Sequence, residues 1–230
     1  MKILIVSGFL GAGKTTFIKR LARNVDQRFA ILENEYGAAG IDGARLGQNR
    51  QGTQKNVWEM TEQCICCIGK KDFAASVLTI ANVVDPEYLI VEPTGVGSLA
   101  RIIENLRQIE YERIQLLSPV TIVDVYSYRR YMAEYPELYQ DHIRSADTII
   151  VSKTEACQAE EKQRIQKFLQ EINSQAKIIT DYASTMTRED YQSLLLGGRY
   201  EKEVQDMQSG EKMPETFSFE NIRMEAPETL

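Results

Sequence analysis

Near the start of the chain, Gly8-Phe9-Leu10-Gly11-Ala12-Gly13-Lys14-Thr15 satisfies G-x-x-x-x-G-K-[ST] at every position. This run constrains the fold more than any other feature. It follows an apolar stretch and precedes Phe17, Ile18, Leu21 and Ala22 at helical spacing, which is the strand-turn-helix context the motif requires. Small residues let backbone N–H groups converge on a phosphate, and the helix N-terminus adds free donors and a favourable dipole. Lys14 can reach the β and γ oxygens, and the Thr15 hydroxyl can ligate Mg²⁺. Gly8, Gly11, Ala12, Gly13, Lys14, Thr15 and Thr16 are therefore the expected phosphate-binding residues. The competing reading is a glycine-rich turn with a chance lysine.

A fold must surround this turn. Short β-branched runs occur at Ile3 to Val6, Phe29 to Leu32, Tyr88 to Val91, Val120 to Val123, Thr148 to Val151 and Lys177 to Thr180. None alternates with polar residues, as expected of strands covered on both faces. Helical spacing recurs at Thr15 to Asn24, Leu99 to Gln108 and Glu160 to Ile172. Strand-helix alternation predicts an α/β fold, a doubly wound and mostly parallel sheet flanked by helices. At 230 residues and 43% hydrophobic content the chain suits one large domain. We expect this domain over 1–198, with 199–230 a C-terminal tail or the remnant of a second domain. Phe217 to Phe219 reads as one isolated strand.

Asn34 to Lys71 differs from the rest, with Gly37, Gly40, Gly43, Gly47 and Gly52 among many polar residues. A connection this long is usually functional, and it is expected to be mobile and to reach the nucleotide. The net charge of -6 argues against nucleic acid as the partner. No apolar run approaches the roughly 20 residues that span a bilayer. The opening Met1 to Gly8 reads as a buried strand instead of an export signal, so a cytoplasmic protein without a membrane partner is expected.

Two further strand ends carry candidate chemistry. Val91-Glu92-Pro93-Thr94-Gly95 lies at the carboxyl end of a buried strand, where open α/β sheets place their ligands. Glu92 can bind Mg²⁺ through water or orient the attacking water, and the Gly95 N–H can meet a γ-phosphate. A plain turn after a strand-end carboxylate is the bland alternative. Val151-Ser152-Lys153-Thr154-Glu155 sits where GTPases commonly carry N-K-x-D, whose acid takes two hydrogen bonds from guanine. Lys153 and Glu155 keep the residue types, while Ser152 replaces the amide. A guanine nucleotide is expected, since adenine's amino group would lack a matching acceptor. A helix entry after a strand is the alternative.

Cys64-Ile65-Cys66-Cys67 packs three of the four cysteines into four positions. In a reducing compartment such a cluster suits metal binding better than a disulfide framework. Thiolates favour Zn²⁺ or Cu(I), and three make an incomplete tetrahedral set. Water, another loop, or a carboxylate among Glu33, Glu35 and Glu62 can supply the fourth ligand. His142 is the one histidine, so a histidine-rich site is excluded. Buried small apolar residues are the alternative, and a Cys66–Cys67 bridge would be strained. Cys157, at the head of a helix, reads as structural.

With these motifs in hand, the chain resembles the CobW-type P-loop GTPases, relatives of the nickel-insertion GTPases for hydrogenase and urease. The family's G-F-L-G-A-G-K-T-T stands at Gly8 to Thr16, and its N-E-F-G at Asn34-Glu35-Tyr36-Gly37, followed by Ile41-Asp42. Its C-x-C-C stands at Cys64 to Cys67 and its E-x-[TS]-G at Glu92 to Gly95. Its strand-end aspartate fits Asp124, and its A-D fits Ala146-Asp147. The match runs over about residues 1 to 180, in the family's order.

The resemblance implies a GTPase with GTP/GDP and Mg²⁺ as cofactors, coupled to carrying Zn²⁺ (or Co²⁺/Ni²⁺). It places Thr15 and Glu35 near Mg²⁺, so that Glu35 joins Lys14 and Glu92 in the expected catalytic set, and it gives the cargo metal to Cys64, Cys66 and Cys67. It also implies an unidentified protein that receives the metal, and a homodimer is an open option. Gln63 stands where the family usually has glycine, Ala38 replaces a common glutamate, and the base motif is S-K-T-E. Two alternatives stay open: a nucleotide switch with a structural zinc site, and a P-loop kinase or transferase.

Overall fold

Uniformly apolar strands can be buried only when helices cover both faces of their sheet. The computed structural model describes residues 1–27, 29–33, 57–61 and 70–204, with backbone alone at 33, 57–61 and 70–72. In chain order it contains β1 (Lys2–Ser7), α1 (Lys14–Asn24), β2 (Phe29–Glu33), β3 (Val57–Thr61), α2 (Lys70–Val83), β4 (Tyr88–Glu92) and α3 (Leu99–Arg107). There follow β5 (Gln115–Leu116), β6 (Val120–Asp124), α4 (Tyr128–Glu134), α5 (Pro136–Arg144), β7 (Thr148–Ser152), α6 (Ala159–Ile172), β8 (Lys177–Ile179), α7 (Tyr182–Thr185) and α8 (Arg188–Leu196).

The strands form one sheet in the order β3-β2-β4-β1-β6-β7-β8, with β5 also beside β1. Every pairing between these described strands is parallel. Strand order reverses at β1, so its carboxyl end opens a crevice between β4 and β6. Alternate residues of β1 divide the core. Leu4 and Val6 join Phe17, Ile18 and Leu21 of α1 on one face. Ile3 and Ile5 join Phe73, Val77, Leu99 and Ile103 on the other. A third cluster places Phe9, at the mouth of the crevice, among Tyr128, Tyr139, Ile143, Val151 and Ile165.

The expected strands and helices are found with ends shifted by a residue or so. The expectation that Asn34 to Lys71 is one connection is corrected at two points. Val57–Thr61 is a strand paired along its length with β2, and a helix begins at Lys70. Val57 and Trp58 suit a strand; lying at the sheet edge after a polar segment, so short a run lacks the uniform apolar character that marks the central strands. The rest of that segment lies outside the described residues, as do Phe217 to Phe219 and the remainder of 205–230.

Past Gly197 the described chain makes one strong anchor. Tyr200 is buried, its hydroxyl donates to Ser145 O at 2.7 Å, and its N–H donates to Leu116 O at 2.8 Å. The Arg107 guanidinium lies over the Tyr200 ring, 5.3 Å from its centroid, and donates to Lys202 O. Losing a buried aromatic together with its hydrogen bond is costly. Tyr200→Ala is expected to lower the unfolding free energy by about 3 kcal/mol in urea titration. A loss below about 1 kcal/mol would mean that the segment rests on the surface without stabilising it.

Candidate nucleotide site

Between β1 and α1 the backbone turns through three glycines with positive φ: Gly8 at 140°, Gly11 at 71° and Gly13 at 100°. At Gly8 the constraint is also one of space, since a Cβ there would lie 2.4 Å from Ile122 O on β6. Gly13 caps α1 in the left-handed conformation, so Lys14 begins the helix beneath the loop. Lys14 is 8% exposed, and its ammonium donates to Gly8 O at 3.0 Å and Phe9 O at 3.4 Å. The cation is thereby held along the rim of the turn, where phosphate oxygens would bind. Thr16, in the first turn of α1, is exposed.

Beneath the loop, α1 and β4 bring Thr15 and Glu92 together. The Thr15 hydroxyl faces both carboxylate oxygens, at 3.0 and 3.2 Å. Glu92 is 9% exposed, so the hydroxyl's hydrogen bond partly offsets the cost of burying its charge. A hydroxyl and a carboxylate side by side form the hard oxygen donor set that Mg²⁺ prefers. The turn after Glu92 then doubles back on the phosphate loop. A Cβ on Gly95 would stand 2.4 Å from Leu10 N and 2.7 Å from Phe9 C. Only a glycine lets these two backbones meet so closely.

Helix α5 fixes this turn from behind. Asp141 accepts from Leu99 N at 2.6 Å and Ala100 N at 3.3 Å, at the start of α3. The fully buried His142 meets Gly97 O through Nε2 at 2.8 Å and Ser7 Oγ through Nδ1 at 2.6 Å. A carbonyl can only accept, so Nε2 carries the proton and the Ser7 hydroxyl donates to Nδ1. Burial pushes the imidazole pKa from 6.5 down to about 4; the Gly97 bond opposes this shift, and the nearby Lys14 charge reinforces it.

The residues expected to read the base follow β7. Ser152 Oγ donates to Ala12 O at 2.6 Å, tying this strand end to the phosphate loop. Lys153, at φ 60°, places its ammonium 2.7 Å from Asp124 at the end of β6. Glu155 is exposed on the following turn. Thr154 is buried and hydrogen-bonded to Asp181, which lies just past β8 and is ion-paired with Lys162 at 2.5 Å. The Lys162 hydrogen bond holds the Asp181 carboxyl below its usual pKa.

Of the predicted site residues, those from the Gly8–Thr15 turn, Glu92, Gly95, Ser152, Lys153 and Glu155 all lie along the carboxyl edge of the sheet. Glu35, Cys64, Cys66 and Cys67 lie outside the described residues. Cys157 is a free thiol packed against the third core cluster, consistent with a structural part. Sequence reasoning missed Asp141, His142 and Asp181. An isolated Asp-His pair carries no motif, and nothing in its spacing reveals that it faces a turn some 45 residues away.

Comparison with known proteins now bears on these positions. Residues 2–180 match the profile of the CobW/HypB/UreG nucleotide-binding domain. The chain belongs to this family. A zinc chaperone of Escherichia coli, YeiR, is 30% identical over 178 residues, covering 76% of this chain and 53% of that protein. The zinc chaperone CobW of Pseudomonas aeruginosa is 26% identical over 209 residues, covering 78% and 56%. The chain thus spans about half the length of the curated relatives it matches. In fold it resembles the Zn(II)-bound YjiA GTPase of E. coli, with TM-score 0.59 and 19% identity over 88% of this chain and 66% of that one. It also resembles the hydrogenase maturation factor HypB of Archaeoglobus fulgidus, with TM-score 0.57 and 18% identity over 85% and 89%. The α/β fold expected from the alternating pattern is the fold of these family structures.

The buried imidazole gives stability a pH dependence. As pH falls, the unfolded chain takes up this proton near 6.5, whereas the folded chain does so only near 4. The stabilisation is whole above about pH 6.5 and is lost between there and pH 4. That loss should approach 3 kcal/mol, on the order of 1.4 kcal/mol per unit. Subtracting the urea-denaturation profile of His142→Gln from that of the native chain isolates it; a flat difference over this window would contradict the burial argument.

Proposed function

We propose that the chain binds Mg·GTP on the Gly8–Thr15 turn, hydrolyses it, and couples the nucleotide state to the capture of a transition metal ion by Cys64, Cys66 and Cys67. The observation that carries this reading is the meeting of Thr15 and Glu92 under a phosphate loop whose lysine is already turned onto the loop's rim. Membership of the family and the zinc chaperones among the relatives support the cargo.

The site's parts then divide the work. Backbone N–H groups of Gly11 to Thr15 hold the β-phosphate, and Lys14 spans the β and γ oxygens. Thr15 and Glu35 would hold Mg²⁺, with Glu92 reaching it through water, and the bound ion would supply charge neutralisation at those oxygens. Glu92 orients the attacking water, and the Gly95 N–H meets the γ-phosphate. Lys153 lies along the base and Glu155 accepts from guanine. Ser152 acts indirectly, since its hydroxyl is committed to Ala12 O.

The metal is substrate to this protein. A γ-phosphate that orders the segment carrying Asn34 and the cysteines would bring three thiolates together, and hydrolysis would release them. Residues 1–198 form the GTPase domain in this reading. Residues 199–230 form a tail fastened at Tyr200, and the receiving protein and a second copy of the chain are its macromolecular partners.

Two experiments test the halves separately. In calorimetric titration, Lys14→Ala should weaken both GTP and GDP by at least about 100-fold, since a charge-assisted contact to phosphate is lost. Native affinity in that variant would remove the phosphate assignment. Zinc titration should give tighter binding with a non-hydrolysable GTP analogue than with GDP, and by linkage zinc should tighten the analogue by the same factor. Cys66→Ala should lose more than about tenfold in zinc affinity. Equal zinc affinity in both nucleotide states would sink the coupling.

A further inference from the structure

No step of the proposed nucleotide chemistry calls for His142, yet both its ring nitrogens are spent on backbone-directing contacts at the heart of the site. Ser7, the partner of Nδ1, is the last residue of β1 and directly precedes Gly8. Gly97, the partner of Nε2, closes the turn after Glu92 through its own N–H to Thr94 O at 3.3 Å. The next residue back, Asp141, grips Leu99 N and Ala100 N. Two successive residues of α5 therefore hold the far end of the segment whose near end, Gly95, is pressed onto Phe9 and Leu10. A core that needed only volume would be filled more cheaply by an apolar side chain, because a buried imidazole must have both nitrogens satisfied.

We propose that His142 is a positioning residue for the γ-phosphate, fixing the Thr94–Gly97 turn in register with the strand that feeds the phosphate loop. The inference rests on the GTPase reading above and adds to it a residue that touches neither nucleotide nor metal. The Gly95 N–H stabilises charge on the transferred group only when aimed to within a fraction of an ångström, and misplacement by about 1 Å can cost a hundredfold. The Gly97 bond sets that aim, and the Ser7 bond refers it to the phosphate loop. The β-phosphate contacts come from the loop itself, whose shape is also held by bonds that do not pass through His142: Lys14 to Gly8 O and Phe9 O, and Ser152 to Ala12 O.

Asparagine and glutamine separate the two contacts. His142→Asn places its amide near the position of Nδ1 and keeps Ser7 while losing Gly97. His142→Gln reaches toward the position of Nε2 and can still donate to Gly97 O. The Asn variant should lose about 10- to 100-fold in GTP turnover at saturation while its GDP affinity stays within about threefold of native. The Gln variant should recover most of that turnover. Because His142 is the single histidine of the chain, its ring NMR signals are assigned without ambiguity. They should show an Nε2–H tautomer whose resonance moves between GDP and a GTP analogue. Native turnover in the Asn variant, equal losses in both variants accompanied by weakened GDP binding, or ring signals indifferent to the γ-phosphate would each overturn the proposal. If the native chain bound neither nucleotide, the GTPase reading would fall first and this one with it; every other failure leaves that reading standing.

Discussion

A loop that must aim several backbone N–H groups at one point has no room for side chains, and the rest of the molecule is arranged around that constraint. Gly8 lies where any Cβ would strike Ile122 O, so the loop leaves β1 with β6 already against it. Gly95 brings a second backbone to within contact of Phe9 and Leu10. These approaches hold only if β1, β4 and β6 are rigid neighbours, and the uniformly buried β-branched residues of those strands make them so. Reversal of strand order at β1 then supplies the crevice into which the loop faces.

Electrostatics follow the same plan. Charged groups along the carboxyl edge are paired in sequence: Lys14 with loop carbonyls, Glu92 with Thr15, Asp124 with Lys153, and Asp181 with Lys162. Lys153 and Lys162 remain partly exposed, so these ion pairs contribute little to stability and mainly hold side chains in place. Lys14 and Glu92 are buried, and there the low dielectric makes each hydrogen bond count. His142 stays uncharged in this setting because burial opposes its protonation and the neighbouring Lys14 adds to that opposition.

Much of this was legible in the sequence because the central strands are pure apolar runs and the phosphate motif has fixed spacing. Val120 to Val123 and Thr148 to Val151 extend in the structure only by the polar residue that ends each strand, Asp124 and Ser152. Edge and outer elements were less visible. β3 follows a polar, glycine-rich stretch, and α4 and α5 are broken by Pro136 and rich in tyrosine, so their period is blurred. Ser152 was legible as a site residue but not in its direction, because a hydroxyl's partner depends on which backbone lies 140 residues away in sequence. The Asp141-His142 pair was invisible for the same reason: its meaning comes from tertiary neighbours alone.

The clasp formed by Tyr200 gives this geometry a mechanical sequel. Its hydroxyl ends on Ser145 and the Lys202 ammonium on Arg144 O, at the last turn of the helix whose Asp141 and His142 grip the loop after β4. Asn173 fastens that same turn by donating to Ile143 O and Ala146 O. The Tyr200 segment and the loop after β4 are therefore mounted on one short, stiff bracket. A pull on either mount loads the other over a span of four residues, with no need for the sheet to deform.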